Sequence, residues 1–134
     1  MSAALNPSTE SPFVLFNGEE GIRMLVDAFY DRMDLDPEFA GIRKLHPEVL
    51  DGSRDKLYWF LCGWMGGPNH YVERFGHPRL RARHMPFPIG SPERDAWTAC
   101  MRMALADCEI DVRLADWLMG QLSGTADWMR NQPG

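Results

Sequence analysis

His77-Pro-Arg-Leu-Arg-Ala-Arg-His84-Met-Pro-Phe-Pro-Ile-Gly90 is the stretch on which the reading of this chain turns. Arg79, Arg81 and Arg83 precede His84, and Pro86 and Pro88 follow it. No long helix can run through such a segment, because each proline pushes the residue before it out of helical geometry. A short helical turn therefore ends near His84 and holds its imidazole on a stiff corner flanked by guanidinium groups. That corner suits a ligand for a metal whose surrounding macrocycle carries carboxylates. A lone histidine with no second ligand at metal spacing is more commonly a satisfied polar residue, and from His84 alone that reading stands beside the first.

The 134 residues predict one domain, 1–134, large enough to bury a core without staples. Hydrophobic content of 45% and charged content of 25% are ordinary for a globular chain. A formal charge of −5 argues against nucleic acid as a partner, since a phosphate-binding surface needs a basic excess. The one basic cluster is local, at Arg79 to Arg83, and reads either as a solvated run or as the surroundings of an anionic group. Residues 1–10 read as a flexible tail with neither a signal peptide nor a membrane-spanning run, so a cytoplasmic protein with no membrane partner is expected. Cys62, Cys100 and Cys108 form no Cys-x-x-Cys pair and read as small buried hydrophobes rather than a disulfide or zinc framework.

Apolar periodicity predicts an all-α chain. Pro12 to Phe16 reads as a short apolar turn. Asn17, with Glu20 at capping-box spacing, opens a helix whose stripe is Ile22, Leu25, Val26, Phe29, Tyr30 and Met33. A short helix around Glu38 to Arg43 leads to Leu45-His46-Pro47. The next helix runs from Asp51 to Met65, stopped by Gly66-Gly67-Pro68, with Ser53, Leu57, Phe60 or Leu61, and Trp64 along one face. Asn69 to Arg74 is a further short helix carrying Tyr71; His70 reads as surface and His77 as a turn residue. Ser91 caps another helix, with Pro92 at its first position and Glu93 in its first turn; Trp97, Cys100, Met101, Ala104, Leu105 and Cys108 turn inward. Asp111 opens the last helix, with Leu114, Trp117 or Leu118, Leu122, Ala126 and Met129 as its stripe. Tyr30 and Trp97, as aromatic residues on helix stripes, read on their own as core.

The run Gly76-His-Pro-Arg-Leu-Arg-Ala-Arg-His84-x-Pro-Phe-x-Ile, with Trp64-x-Gly-Gly-Pro68 before it and Glu93-Arg-Asp-x-Trp97 after it, resembles the group II truncated haemoglobins. The likeness spans from about Pro12 to the end of the last helix. It implies a 2-on-2 helical globin sandwich around haem b, held between the helix bearing Leu57 and the corner bearing His84. His84 then matches the proximal iron ligand. Tyr30 and Trp97 match polar groups that reach a bound diatomic ligand, Ser53 stands over the ligand site and Leu57 is an apolar lid. His46 falls where the family usually carries tyrosine or phenylalanine, leaving three roles open: donor to the ligand, a side chain swung to solvent, or an iron ligand itself. Trp64 and Tyr71 are implied haem contacts, and Lys56, Arg81 and Arg83 with Tyr71 are implied partners of the propionates.

The resemblance implies binding of dioxygen, nitric oxide and similar small ligands. Several donors around the ligand imply tight holding, which suits oxygen transport poorly. It better suits nitric oxide dioxygenation or peroxide reduction fed by an electron-donating reductase. A storage or sensor protein without turnover is the alternative, and a monomer or weak homodimer is expected.

Overall fold

Ser11 accepts the Val14 amide on its Oγ at 3.3 Å, and with Pro12 at the first helical position this starts α1, Pro12–Leu15. In the computed structural model, which describes residues 11–132 apart from Pro78, Pro86 and the side chain of Arg81, every regular element is helical. The tail expected over residues 1–10 lies outside the described residues. After α1 come α2 (Gly18–Leu35), a 3-10 turn (Pro37–Phe39), α3 (Ala40–Arg43), α4 (Asp51–Trp64), α5 (His70–Phe75), α6 (Leu80–His84), α7 (Ser91–Asp107) and α8 (Val112–Trp128).

Two expected caps are corrected. Asn17 takes a left-handed backbone, φ 69°, and its side chain makes no cap hydrogen bond, so no capping box forms with Glu20. The reason is the tight α1–α2 link: asparagine tolerates this conformation, and Asn17 serves as a hinge whose carbonyl accepts the Gly21 amide. Gly90 rather than Ser91 caps α7. The Glu93 carboxylate accepts the Gly90 amide at 2.6 Å, while the Ser91 hydroxyl is drawn away to accept from Arg130 at 3.3 Å. Asp111 does cap α8, its Oδ1 accepting the Arg113 amide.

α2 is the central element, packed against both α4 and α7; α7 packs in turn on α8, and α4 on α5. Its predicted stripe, Ile22, Leu25, Val26, Phe29, Tyr30 and Met33, is buried in full. Each such side chain stabilises the fold by about 1.5–3 kcal/mol through burial. On α4 the inward residues are Leu61 and Cys62, so the face with Ser53, Leu57, Phe60 and Trp64 is a separate, half-open one. Leu118, not Trp117, takes the core position of α8.

Gly66 and Gly67 end α4 for a steric reason. Gly66 has φ 96°, and a Cβ on Gly67 would collide with the Phe13 ring. The Phe13 amide donates to the Met65 carbonyl at 2.9 Å, so this close approach docks α1 on the end of α4.

Candidate functional site

The imidazole of His84 is locked by its own helix. Its Nδ1 lies 2.7 Å from the Leu80 carbonyl, four residues back. A carbonyl oxygen only accepts, so Nδ1 carries the proton and Nε2 presents a lone pair, the form in which a histidine ligates a metal. Arg79, at φ 47°, starts α6, and its amide donates to His77 Nδ1 at 3.1 Å, which makes His77 the turn residue expected of it.

Sequence reasoning missed what fastens this corner. Asn131 Nδ2 donates to the carbonyls of Phe87 (2.8 Å) and His84 (3.3 Å), while its Oδ1 accepts the Ile89 amide at 2.9 Å. The Asn131 amide also donates to the Ile89 carbonyl at 2.7 Å. Asn131 sits in a polar run after the last apolar stripe, so neither periodicity nor motif marks it.

Tyr30 and Trp97 meet at Phe29, and His46 lies against Tyr30. The Phe29 ring meets Tyr30 edge-on at 4.9 Å and Trp97 at 5.1 Å, and Tyr30 meets His46 edge-on at 5.7 Å. Tyr30 is only 5% exposed, and that burial pushes its phenol well above the ordinary range, holding it neutral. Arg54, anchored on Asp27 and Asp31 of α2, stands 5.9 Å from the Tyr30 ring and opposes that rise. Among the described residues no protein group partners the Tyr30 hydroxyl, the Trp97 indole N–H or the Ser53 hydroxyl, nor is any of them sealed in the core.

His46 mirrors His84. Its Nδ1 donates to the Ile42 carbonyl, again four residues back, at 2.9 Å, leaving the Nε2 lone pair outward. Burial lowers its pKa below the ordinary histidine value; the hydrogen bond to the Ile42 carbonyl opposes that shift and the Arg43 guanidinium adds to it. The ring is half-buried beside Tyr30.

Aromatic side chains wall the other side. Phe60 stacks on Trp64 at 6.3 Å and meets Tyr71 edge-on at 6.3 Å, and Tyr71 lies 4.8 Å from Phe75. The Tyr71 ring is buried, yet its hydroxyl has no protein partner among the described residues. Arg83 stands 5.7 Å over Tyr71, and Lys56 stands 6.0 Å over Phe75. The side chain of Arg81 lies outside the described residues. Leu57 packs half-buried against the core, whereas Trp64, Phe75, Phe87 and Met85 are 37%, 40%, 40% and 51% exposed. Such a concentration of open apolar surface marks a binding face. His70 takes no part: its Nε2 is 2.6 Å from Glu19.

A lone-pair imidazole nitrogen, apolar walls and a rim of cations are the donor set that haem requires: an axial ligand, a surface for the macrocycle and partners for its carboxylates. Helices packed in this way around such a face define a globin. The chain belongs to the bacterial-like globin family, whose model matches residues 13–131, and within it to the group II truncated haemoglobins. It is similar to the group 2 truncated haemoglobin YjbI of Bacillus subtilis, 40% identical over 115 residues that cover 86% of this chain and 85% of that protein. Among solved structures it resembles the group II 2-on-2 haemoglobin of Agrobacterium tumefaciens, with TM-score 0.89, 38% identity and coverage of 96% of this chain and 99% of that one. The truncated oxygen-avid haemoglobin from Bacillus subtilis aligns with TM-score 0.83, 38% identity and coverage of 91% and 100%. Membership implies haem and a diatomic ligand such as dioxygen. No described helix is long and apolar enough to cross a membrane.

Proposed function

We propose that the chain carries haem b on His84, holds dioxygen between Tyr30, Trp97 and Ser53, and turns it or peroxide over against nitrogen or oxygen species. Two features support this reading. One is His84, its Nδ1 committed to the Leu80 carbonyl and its Nε2 free to ligate; the other is the hydroxyl of the buried Tyr30 and the Trp97 indole N–H, neither with a protein partner among the described residues. Haem iron, when bound, supplies the ligand-binding and electron-transfer chemistry.

The chain's own residues determine what that chemistry is used for. Tyr30, kept neutral by burial, donates a hydrogen bond, and Trp97 donates a second. In a poorly solvated pocket two donors strongly stabilise negative charge developing on a small ligand. Small Ser53 leaves entry open, and Leu57 excludes water beside it. Tyr71, Lys56 and Arg83 receive the propionates, each pair worth at most about 1 kcal/mol at an exposed rim. Tight holding slows release, which favours turnover over transport; the likeness to an oxygen-avid relative supports that choice. An electron-donating reductase completes the cycle.

Spectra of the ferric, ferrous and oxygenated protein test the first half. His84→Ala should lose haem, and a His84→Ala protein with wild-type spectrum and haem affinity, beside a His77→Ala protein lacking both, would overturn the assignment. Mixing oxygenated protein with nitric oxide tests the second half: nitrate and ferric protein should form one for one, and slow displacement without nitrate would leave a carrier.

A further inference from the structure

The aromatic rings of α4, α5 and α8 form a connected series longer than a haem wall needs. Trp59 lies 6.0 Å from Phe75, Phe75 lies 4.8 Å from Tyr71, and Tyr71 lies 6.3 Å from Phe60. Phe60 lies 6.3 Å from Trp64, and Trp64 lies 6.3 Å from Trp117 of α8.

The two ends of the series differ in charge. Arg74 stands 4.3 Å over Trp59, Lys56 and Arg83 each stand 6.0 Å over Phe75, and Arg83 covers Tyr71. Among the described residues no cation stands over Trp64 or Trp117. A cation over a ring is attracted to its electron-rich face, and removal of an electron turns that attraction into repulsion. Oxidation of Trp59 or Tyr71 is thereby opposed, and phenylalanine is not oxidised under such conditions. Trp64 and Trp117 are the rings left able to lose an electron. Trp117, half-buried beside Trp64 on α8, keeps part of its ring at the surface outside the aromatic wall.

We propose that Trp64 and Trp117 form an electron-exit pair through which the haem site, reacting with hydrogen peroxide, oxidises small phenols at the protein surface. This rests on the peroxide-reducing reading above. The balance is simple: hydrogen peroxide takes two electrons and two protons, its O–O bond breaks, and two waters form. Trp64, which would line the haem slot, supplies each electron and is refilled from Trp117, whose indole proton passes to solvent. A phenol meeting the pair gives up one electron and its hydroxyl proton, restoring the indole. Two phenols thus become two phenoxyl radicals for each peroxide consumed.

The test treats ferric holoprotein with hydrogen peroxide and a nitroso spin trap, maps the adduct by peptide mass spectrometry, follows the Soret band by stopped flow, and assays oxidation of 2-methoxyphenol. The adduct should fall on Trp64 or Trp117. Trp117→Phe, which keeps most of the ring volume, should leave the Soret reaction at the wild-type rate and slow 2-methoxyphenol oxidation by roughly tenfold or more. Trp128→Phe, another exposed indole, should change neither. An adduct confined to Trp59, Tyr71 or Trp128, or undiminished phenol oxidation in Trp117→Phe, sinks the exit pair while leaving peroxide reduction intact. A Soret band that ignores peroxide removes the peroxide reading and the pair with it.

Discussion

Tyr30 and His46 meet edge-on yet have opposite hydrogen-bonding characters. Burial keeps the phenol protonated, a donor, whereas the His46 Nδ1 proton is committed to the Ile42 carbonyl and its Nε2 can only accept or ligate. His46, not Tyr30, is therefore the internal group expected at the sixth iron position of ferric protein. A low-spin ferric component should be present at neutral pH, vanish in His46→Phe and persist in Tyr30→Phe; a spectrum that is purely high-spin with water would refute this. Trp97 poses a sharper choice. Its ring packs on Phe29 as a core residue would, but its N–H has no protein acceptor among the described residues. A hydrogen bond to a partly charged ligand contributes on the order of 1.5–3 kcal/mol, so Trp97→Phe should release oxygen roughly ten- to hundredfold faster. Stopped-flow dissociation at wild-type rate, with only a lowered melting temperature, would mean that Trp97 packs and does no more. Of these residues, His46 and Trp97 are candidates through the family resemblance alone, and their hydrogen-bonding polarity depends on partners that no motif encodes.

Helices here are held in register by side chains that bridge them, and two of these ties are open to measurement. Arg32 of α2 grips Asp107 at the end of α7 through two bonds of 2.8 Å. The guanidinium hydrogen bond holds the Asp107 carboxyl below its usual 3.8. A depressed carboxylate stabilises the fold above its unfolded value and loses that contribution as pH falls through the folded one. Asp107→Asn should thus cost about 0.5–1 kcal/mol near neutral pH, the range of an exposed pair, and nothing in strong acid. Thermal unfolding at both pH values checks it, and an equal cost at each would point to lost packing instead. Asn131 ties the segment after α8 to the His84 corner. Removing its bonds in Asn131→Ala, at about 1 kcal/mol for each well-formed one, should speed haem loss roughly tenfold. Unchanged transfer of haem to a scavenging apoprotein would show that α6 holds His84 unaided. The same long reach bears on the Ser91 cap, whose hydroxyl accepts from Arg130, 39 residues away.

Charge is unevenly spread over the whole molecule. Residues 51–90, which include α4, α5 and the His84 corner, carry six of the 14 Lys and Arg but three of the 19 Asp and Glu. The remainder is strongly acidic. On the proposed function such a field would steer an acidic electron donor toward residues 51–90, and salt screens it over about 8–10 Å at physiological strength. Reduction of ferric protein by an acidic one-electron donor protein should slow as salt is raised, while reduction by a small neutral donor stays constant; insensitivity of both would place electron entry away from this face. Helix positions, the proline-bound corner at His84 and the all-α class were determined by the amino-acid sequence itself, because periodicity, capping chemistry and proline sterics act within a few residues. Tertiary structure alone decided that Leu118 rather than Trp117 enters the core, that Asn131 clamps the His84 corner, that Arg54 stands over Tyr30, and that Trp64 meets Trp117. Each of these joins segments far apart along the chain, where the outcome depends on which surfaces packing brings together rather than on any local preference.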